Sequence, residues 1–160
     1  MKPLDVLGVR VELPTNQPIV LLRERDGSRH LPIWIGAAEA TAIAYAQQGV
    51  TPPRPLTHDL LVNVVSALGH TIERVRIDRL DGGVFYATLV LSGGVEIDSR
   101  SSDAIALAIR VGAEVVAPEA LLESAGITIA EEAEDEVERF KEFLDHVSPE
   151  DFEQPPTREV

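Results

Sequence analysis

The chain contains no cysteine, few aromatic residues and no long apolar run. Without cysteine there is no disulfide framework, no thiol nucleophile and no cysteine-ligated metal site. Aromatic residues make up only 4% of the 160 positions, so the core must be built from Val, Ile, Leu and Ala. No segment reaches the roughly 20 apolar residues of a membrane-spanning helix, and the N-terminus lacks the basic-then-apolar pattern of a secretory signal. These absences predict a cytoplasmic protein with no membrane segment.

Positive charge is also scarce, which limits how the chain can bind nucleic acid. The formal net charge is −13. Residues 131–160 carry twelve acidic and three basic side chains, which gives −9, and residues 1–130 therefore carry the remaining −4. Proteins that grip nucleic acid mainly through its phosphates have a basic surface instead. We therefore expect any DNA or RNA to bind weakly and in a salt-sensitive way, through a local arginine cluster or a metal ion.

The spacing of apolar residues predicts one α+β domain with the element order β-β-β-α-α-β-β-β-α-β-α. Hairpins outnumber βαβ units, which favours a mixed or antiparallel sheet with flanking helices. This domain is expected to span residues 1–128, and residues 129–160 are predicted to form an acidic C-terminal helix (about 131–146) and a flexible tail. The predicted strands are 4–13, 19–22, 31–35, 71–80, 84–91, 95–98 and 114–116; the predicted helices are 37–48, 57–68, 101–112 and 118–124.

Local chemistry suggests roles for several further side chains. Hydroxyl residues are preferred helix N-caps, so Thr57 and one of Ser101 or Ser102 are expected to cap the helices that follow them. Trp34 lies in an apolar strand and is expected in the core rather than as a platform for base stacking. His30 and His70 have no companions at metal-ligand spacing and are interpreted as structural residues.

Two short polar segments, 54–59 and 98–103, each open an apolar helical pattern. The first reads Arg-Pro-Leu-Thr-His-Asp and the second Asp-Ser-Arg-Ser-Ser-Asp. Both fall at helix N-termini, where unpaired backbone N–H groups and a partial positive charge are exposed. If the fold brings the two segments together, they form a polar cluster able to hold a metal ion, a phosphate or both.

Each polar residue of this cluster also has a plain structural interpretation. Asp59 would simply complement the helix dipole, with His58 as an exposed neighbour and Glu39 as a solvated helix residue. In the functional interpretation, Asp59 is a metal ligand or base and His58 moves a proton near neutral pH. Arg54, held between two prolines, either pairs with a carboxylate or presents its guanidinium to a phosphate. The residues alone leave these alternatives open.

Three sequence segments resemble the bifunctional nuclease domain family. They are Leu31-Pro32-Ile33-Trp34-Ile35-Gly36 with Glu39-Ala40, Pro53-Arg54-Pro55-Leu56-Thr57-His58-Asp59-Leu60, and Asp98-Ser99-Arg100-Ser101-Ser102-Asp103-Ala104-Ile105-Ala106-Leu107. The resemblance covers about residues 1–125, in the same order and with similar spacing. One departure is Ser101, where the family usually has proline.

The resemblance implies a mixed α+β fold that assembles as a homo-oligomer, with a dimer favoured, and a nuclease acting on DNA and RNA with a divalent cation. It implies one site formed by nine residues: Glu39, Arg54, Thr57, His58, Asp59, Asp98, Arg100, Ser102 and Asp103.

The resulting hypothesis is metal-assisted hydrolysis of phosphodiester bonds. The candidate ligands of one Mg²⁺ or Mn²⁺ are Asp59, Asp98, Asp103 and Glu39, because hard cations prefer oxygen ligands. The candidate catalytic residues are His58, Asp59 and Asp103, and the candidate substrate-binding residues are Arg54, Thr57, Arg100 and Ser102.

Two other functions fit the same residues. In one, the chain is a non-enzymatic regulatory or binding module whose arginines are tied to its carboxylates in a structural cluster. In the other, the arginines and helix N-termini bind a small phosphorylated ligand without hydrolysis. Carboxylates that converge on an open point favour a metal, whereas carboxylates already paired with arginine favour the structural cluster.

Overall fold

An eight-stranded mixed sheet with four helices organises the part of the chain that the computed structural model describes, residues 1–129. Residues Met1–Thr128 make up one unit. The strands are β1 (Lys2–Glu12), β2 (Gln17–Glu24), β3 (Arg29–Trp34), β4 (Ile72–Asp81), β5 (Val84–Leu91), β6 (Glu96–Arg100), β7 (Glu114–Ala117) and β8 (Ile127–Thr128). The helices are α1 (Ala37–Gln48), α2 (Thr57–Ala67), α3 (Ser101–Val111) and α4 (Glu119–Ala125). The α+β fold class is therefore confirmed. The predicted C-terminal acidic helix and tail lie outside the described residues.

The sheet consists of two antiparallel halves joined by one short strand. The strand order is β6-β5-β4-β7-β1-β2-β3-β8. Among the strand pairs of residues 1–129, only β4–β7 is parallel, with Val75 opposite Val115. On its other side β7 pairs with β1 in antiparallel fashion, with Leu4 also opposite Val115. Four residues of β7 thus connect the β1–β3 meander to the β4–β6 meander.

The core is aliphatic, as the scarcity of aromatic residues requires. Alternate positions of β2 and β3 point inward, so Val20 and Leu22 pack beside Leu31 and Ile33. These side chains are almost completely buried, and burial of each one stabilises the fold by about 1.5–3 kcal/mol. Ile43 of α1 joins the same cluster.

The helices differ in how they pack. Helix α3 contacts β4, β5 and β6 and is the most buried helix, whereas α1 packs on α3, β1 and β2. Helix α2 packs mainly on α3 and has no buried residue. Its apolar residues remain partly or largely exposed, including Leu60, Leu61, Val64 and the adjacent Leu68. The structure therefore has an apolar helix face that the rest of the domain does not cover.

An ionic cluster links β2, β3 and α4. Glu24, a nearly buried carboxylate, accepts hydrogen bonds from both Nε and Nη2 of Arg29 at 2.9 Å. Arg29 also donates to both carboxylate oxygens of Glu119. The hydrogen bonds from Arg29 lower the pKa of Glu24 despite the opposing effect of burial. The guanidinium of Arg29 thus compensates the negative charge of the nearly buried Glu24.

Several local expectations are wrong. Thr57 and Ser101 are the first residues of their helices, and the N-cap positions are held by Leu56 and Arg100 instead. The backbone N–H of Leu56 donates to the Asp59 carboxylate at 3.0 Å, which is the bond that an acidic residue at the third helical position makes in a capping box. Trp34 is 51% exposed and does not belong to the core. Within residues 1–129, no helix is long and apolar enough to cross a membrane.

Candidate functional site

The first turns of α1, α2 and α3 meet through their polar side chains. Glu39 lies in the first turn of α1, His58 in that of α2 and Asp103 in that of α3. Arg100, at the N-cap of α3, binds two of them. Three helix N-termini therefore lie near one another, and the unpaired N–H groups and partial positive charge of such ends favour bound anions.

His58 and Asp103 form a close pair across two helices. The His58 Nε2 atom lies 2.9 Å from the Asp103 Oδ1 atom, and both side chains are mostly buried. Burial alone would raise the pKa of Asp103, but hydrogen bonds from Arg100 and His58 outweigh it and hold this pKa below its usual value. Asp103 is therefore ionised at neutral pH. Because an ionised carboxylate only accepts hydrogen bonds, the imidazole proton is on Nε2, which donates a hydrogen bond to Asp103.

Arg100 is shared between two carboxylates and still reaches solvent. Its Nε donates to Asp103 at 2.8 Å, and its Nη2 donates to Glu39 at 2.6 Å. Asp103 and Glu39 both raise its pKa, so the guanidinium stays charged. Nη1 makes no hydrogen bond to any of the described residues, and the side chain is 67% exposed. One edge of the guanidinium is thus available to a ligand.

Gly36 makes room for the Glu39 carboxylate. A Cβ atom at position 36 would lie 2.3 Å from Glu39 Oε2, which is closer than any real Cβ contact. The backbone of Gly36 is extended, so it is the missing side chain and not an unusual conformation that matters here. The glycine before α1 therefore lets Glu39 fold back to the position where it holds Arg100.

These side chains lie at one side of a cleft of about 560 Å³. The cleft has a polar part and an apolar part. The polar part consists of Glu39, Thr57, His58, Asp98, Ser99, Arg100 and Asp103. The apolar part consists of Ala38, Leu61, Val65, Leu89, Ile97 and Leu107. A cleft of this size with a few convergent polar groups is typical of a small-ligand or active site.

Comparison with known proteins identifies the family. A sequence model of the bifunctional nuclease domain matches residues 20–130.

The chain belongs to the bifunctional nuclease domain family.

Proteins similar in sequence include two uncharacterized proteins from two strains of Mycobacterium tuberculosis. Each is 52% identical over 161 residues, covering 95% of this chain and 98% of the relative. A protein named bifunctional nuclease 2, from Oryza sativa subsp. japonica, is 28% identical over 124 residues. That match covers 73% of this chain but only 38% of the rice protein. The structure described here is thus that of a bifunctional nuclease domain.

Asp59 points to different partners from the other predicted site residues. Its Oδ1 accepts a hydrogen bond from Arg110 Nε at 2.9 Å, and Arg110 is only 10% exposed. This bond and the bond from the Leu56 N–H lower the pKa of Asp59. Asp59 lines a separate shallow depression with Val50 and Asn63. Sequence reasoning missed Arg110, although it lies two helical turns beyond Asp103 on α3.

The remaining predicted site residues take distinct positions in this bifunctional nuclease domain. Thr57 and Asp98 line the cleft beside His58, and neither side chain bonds to another described residue. Arg54 is exposed just before α2, and within residues 1–129 it makes no ion pair. Ser102 is nearly buried and lines a second cleft, which Arg100 also lines.

The predicted metal ligands are not gathered around one point. No group of three or more His, Asp or Glu side chains within residues 1–129 is arranged to hold a metal ion. Asp59 is bound by Arg110, and both Glu39 and Asp103 are bound by Arg100. A cation would have to displace a guanidinium to reach these carboxylates, so the residues as placed do not fit Mg²⁺ or Mn²⁺. The metal set remains a prediction.

Proposed function

We propose that this domain hydrolyses phosphodiester bonds of DNA and RNA in the cleft beside His58. The observation that carries the proposal is the hydrogen-bonded pair of His58 and the ionised Asp103, next to the partly free guanidinium of Arg100. A histidine oriented by a carboxylate is a frequent general base, and a guanidinium matches the geometry of a phosphate. Membership of the bifunctional nuclease domain family supports this reaction class.

In the proposed mechanism, Asp103 fixes the tautomer of His58. With its proton on Nε2, the imidazole carries a free lone pair on Nδ1, and this nitrogen makes no hydrogen bond to another described residue. Nδ1 removes a proton from the attacking water, and the new P–O bond forms as the bond to the leaving oxygen breaks. The imidazolium then returns its proton to the leaving oxygen or to solvent.

Arg100 would stabilise the charge that develops on the phosphate. Its Nη1 faces no protein partner among the described residues, so it can donate to a non-bridging oxygen without breaking an existing ion pair. The N-terminus of α3 adds backbone donors and partial positive charge nearby. Glu39 and Asp103 hold the guanidinium in place, and such preorganised charge is effective in stabilising a transition state.

A cleavage assay with matched variants tests the proposal. Labelled single-stranded RNA and DNA are incubated with the wild-type chain, His58→Gln and Asp103→Asn, each with added Mg²⁺, Mn²⁺ or a chelator. We expect cleavage by the wild type and a loss of about 100-fold or more in both variants. The chelator arm tests the predicted metal dependence separately. Equal cleavage by all three folded proteins would contradict the proposal.

One observation favours a second function, that of a non-enzymatic binding module. Glu39, Asp59 and Asp103 are each paired with an arginine, as expected for a cluster that holds helices together. Arg100 joins α1 to α3, and Arg110 joins α2 to α3. No cleavage of either polymer, combined with lower stability of the Asp103→Asn variant, would favour this function.

We also propose that the domain acts as a homodimer. The support is the apolar face of α2, where Leu60 and Leu68 are 55% and 73% exposed. A contiguous exposed apolar surface of this kind is typical of an interface.

Because the described part of the chain offers one free guanidinium edge at the cleft and no broad basic surface, we expect polymeric nucleic acid to bind weakly and to dissociate as salt is raised.

A further inference from the structure

Trp34 is exposed to solvent although its strand contributes residues to the aliphatic core. It is the last residue of β3 and pairs with Ile19 of β2, yet half of its surface faces solvent. Tryptophan is highly buried on average, and exposed tryptophans concentrate at binding surfaces. Trp34 is also the single tryptophan of the chain, so its fluorescence reports on this position alone.

Trp34 lines a second cleft, of about 360 Å³, which Arg100 also lines. Val84 and Phe85 add apolar surface to this cleft, and Ser101 and Ser102 bring the first turn of α3 to it. Arg100 is the one charged side chain among its lining residues. The carboxylates of Glu39, Asp98 and Asp103 line the first cleft instead. No carboxylate is among the lining residues of the Trp34 cleft, so an anion in this cleft can approach the Arg100 guanidinium.

Arg100 lines both clefts, and this shared position suggests what occupies them. We propose that Trp34 stacks against a nucleobase whose phosphate is bound by Arg100, which makes single-stranded nucleic acid the substrate class of the site. This inference rests on the proposed function and refines it. The phosphate lies at the guanidinium, one neighbouring base lies on the indole, and the next nucleotide continues toward His58 in the first cleft.

The chemistry of the Trp34 cleft fits a base better than a purely apolar ligand. A flat indole stacks on any base because every base has a π-face, and this contact needs no particular sequence. The Nη1 atom of Arg100, which has no partner among the described residues, would find no acceptor in an apolar ligand but can donate a hydrogen bond to a phosphate. In a duplex the base faces are covered by their neighbours, so only an unpaired base can reach Trp34.

Binding of three small molecules tests this inference without any cleavage. The probes are a nucleoside 5′-monophosphate, the corresponding nucleoside and ribose 5-phosphate, and none of them contains a phosphodiester bond. Trp34 fluorescence and calorimetry are recorded for the wild-type chain. We expect the monophosphate to bind and to quench Trp34, the nucleoside to bind more weakly, and ribose 5-phosphate to leave the fluorescence unchanged.

Variants then separate stacking from general damage to the fold. Trp34→Ala is expected to weaken monophosphate binding about tenfold or more, whereas Trp34→Phe keeps most of the affinity because the ring remains. Arg100→Gln should weaken the monophosphate much more than the nucleoside. Leu13→Ala, at an exposed apolar residue after β1, is the matched control and should change neither.

The outcomes distinguish this inference from the proposed nuclease function. Quenching by the monophosphate without cleavage of any polymer would support the stacking platform and remove the nuclease. Cleavage of single strands with no fluorescence change and an unaltered KM in Trp34→Ala would overturn the inference and keep the nuclease. Fluorescence that responds to protein dilution but not to nucleotide would assign Trp34 to a contact between copies of the chain and would also overturn it.

Discussion

His58 Nε2 lies 2.9 Å from Asp103 Oδ1, although 45 residues separate the two in the sequence. Each residue is in the first turn of its helix, so the pair exists only because α2 and α3 begin at the same place. The contact joins a titratable ring to a carboxylate that stays ionised. A change in either residue should therefore affect chemistry more than folding.

Replacing Asp103 with asparagine should lower kcat about 100-fold or more and change KM less. The amide can donate to Nε2, which would place the imidazole proton on Nδ1 and remove the proposed base. Steady-state kinetics on a short single-stranded oligonucleotide measure this difference. Asp98→Asn is the control, since Asp98 lines the same cleft but does not touch His58. An equal loss in Asp98→Asn would instead favour the predicted metal site.

Asp59→Asn should destabilise the domain by about 1–3 kcal/mol, because it weakens the ion pair with Arg110 and the hydrogen bond from the Leu56 N–H. Urea unfolding measures the free energy of unfolding directly. Asp59 is paired with Arg110 and lines a depression separate from the cleft. The structure therefore predicts a smaller effect on kcat for Asp59→Asn than for Asp103→Asn. A larger loss of kcat with unchanged stability would support the predicted catalytic role of Asp59.

The stability of the domain should fall in acid. The pKa values of Glu24, Asp59 and Asp103 are each lower in the folded domain than is usual for the residue. A group with a lowered pKa adds stability above its unfolded pKa of about 4, and this contribution disappears as the pH falls toward the folded value. The free energy of unfolding, measured with urea at about pH 6 and about pH 3, should therefore fall less between the two pH values in Asp59→Asn than in the wild type. Parallel losses in both proteins would contradict this assignment.

Glu39→Gln should tighten the binding of a nucleoside monophosphate about three- to tenfold, because a negative charge beside Arg100 is removed. Gly36→Ala should act in the same direction, since its Cβ atom would displace the Glu39 carboxylate. Calorimetric titration measures both. As the two substitutions act on one contact, the double variant should bind no tighter than the better single variant. Additive effects would show that Gly36 acts through some other contact.

Charged substitutions on α2 should abolish the proposed homodimer. Val64→Glu places a charge at the centre of the exposed apolar face, and burying that charge in an interface is unfavourable. Analytical ultracentrifugation should find a dimer for the wild type and a monomer for Val64→Glu. Leu13→Glu, which changes an even more exposed apolar residue elsewhere, should leave the dimer intact. A monomeric wild type would remove the proposal.

The elements of this fold were largely predictable, because their signals are local. Helix α1 matches its predicted bounds, since its alanine-rich run ends at Gly49, which adopts a left-handed conformation. Strand β8 was not predicted because it contains two residues, Ile127 and Thr128, which are too few to show an alternation of apolar and polar side chains. The caps were misjudged by one residue, because α2 and α3 begin at Thr57 and Ser101 themselves and the N-cap positions fall on Leu56 and Arg100.

The pairing of the site residues was less predictable, because it depends on which helices become neighbours. The sequence indicated that Arg100 would meet carboxylates, but Asp103 follows it by one turn whereas Glu39 lies 61 residues away. Arg110 looks like an ordinary helix-terminal cation until α2 packs on α3. Trp34 was placed in the core because its strand is apolar, yet the strand ends at that residue and the indole faces outward.

The position of β7 between the two halves of the sheet predicts when the contact between Glu39 and Arg100 forms during folding. Glu39 belongs to the half of the chain that contains β1–β3, whereas Arg100 and Asp103 belong to the half that contains β4–β6. Strand β7 holds the halves together, and it ends only at Ala117. A nascent chain can complete both meanders before β7 emerges from the ribosome, but the sheet cannot close until β7 inserts between them. The contact between Glu39 and Arg100 is therefore expected to be among the last that the growing polypeptide forms.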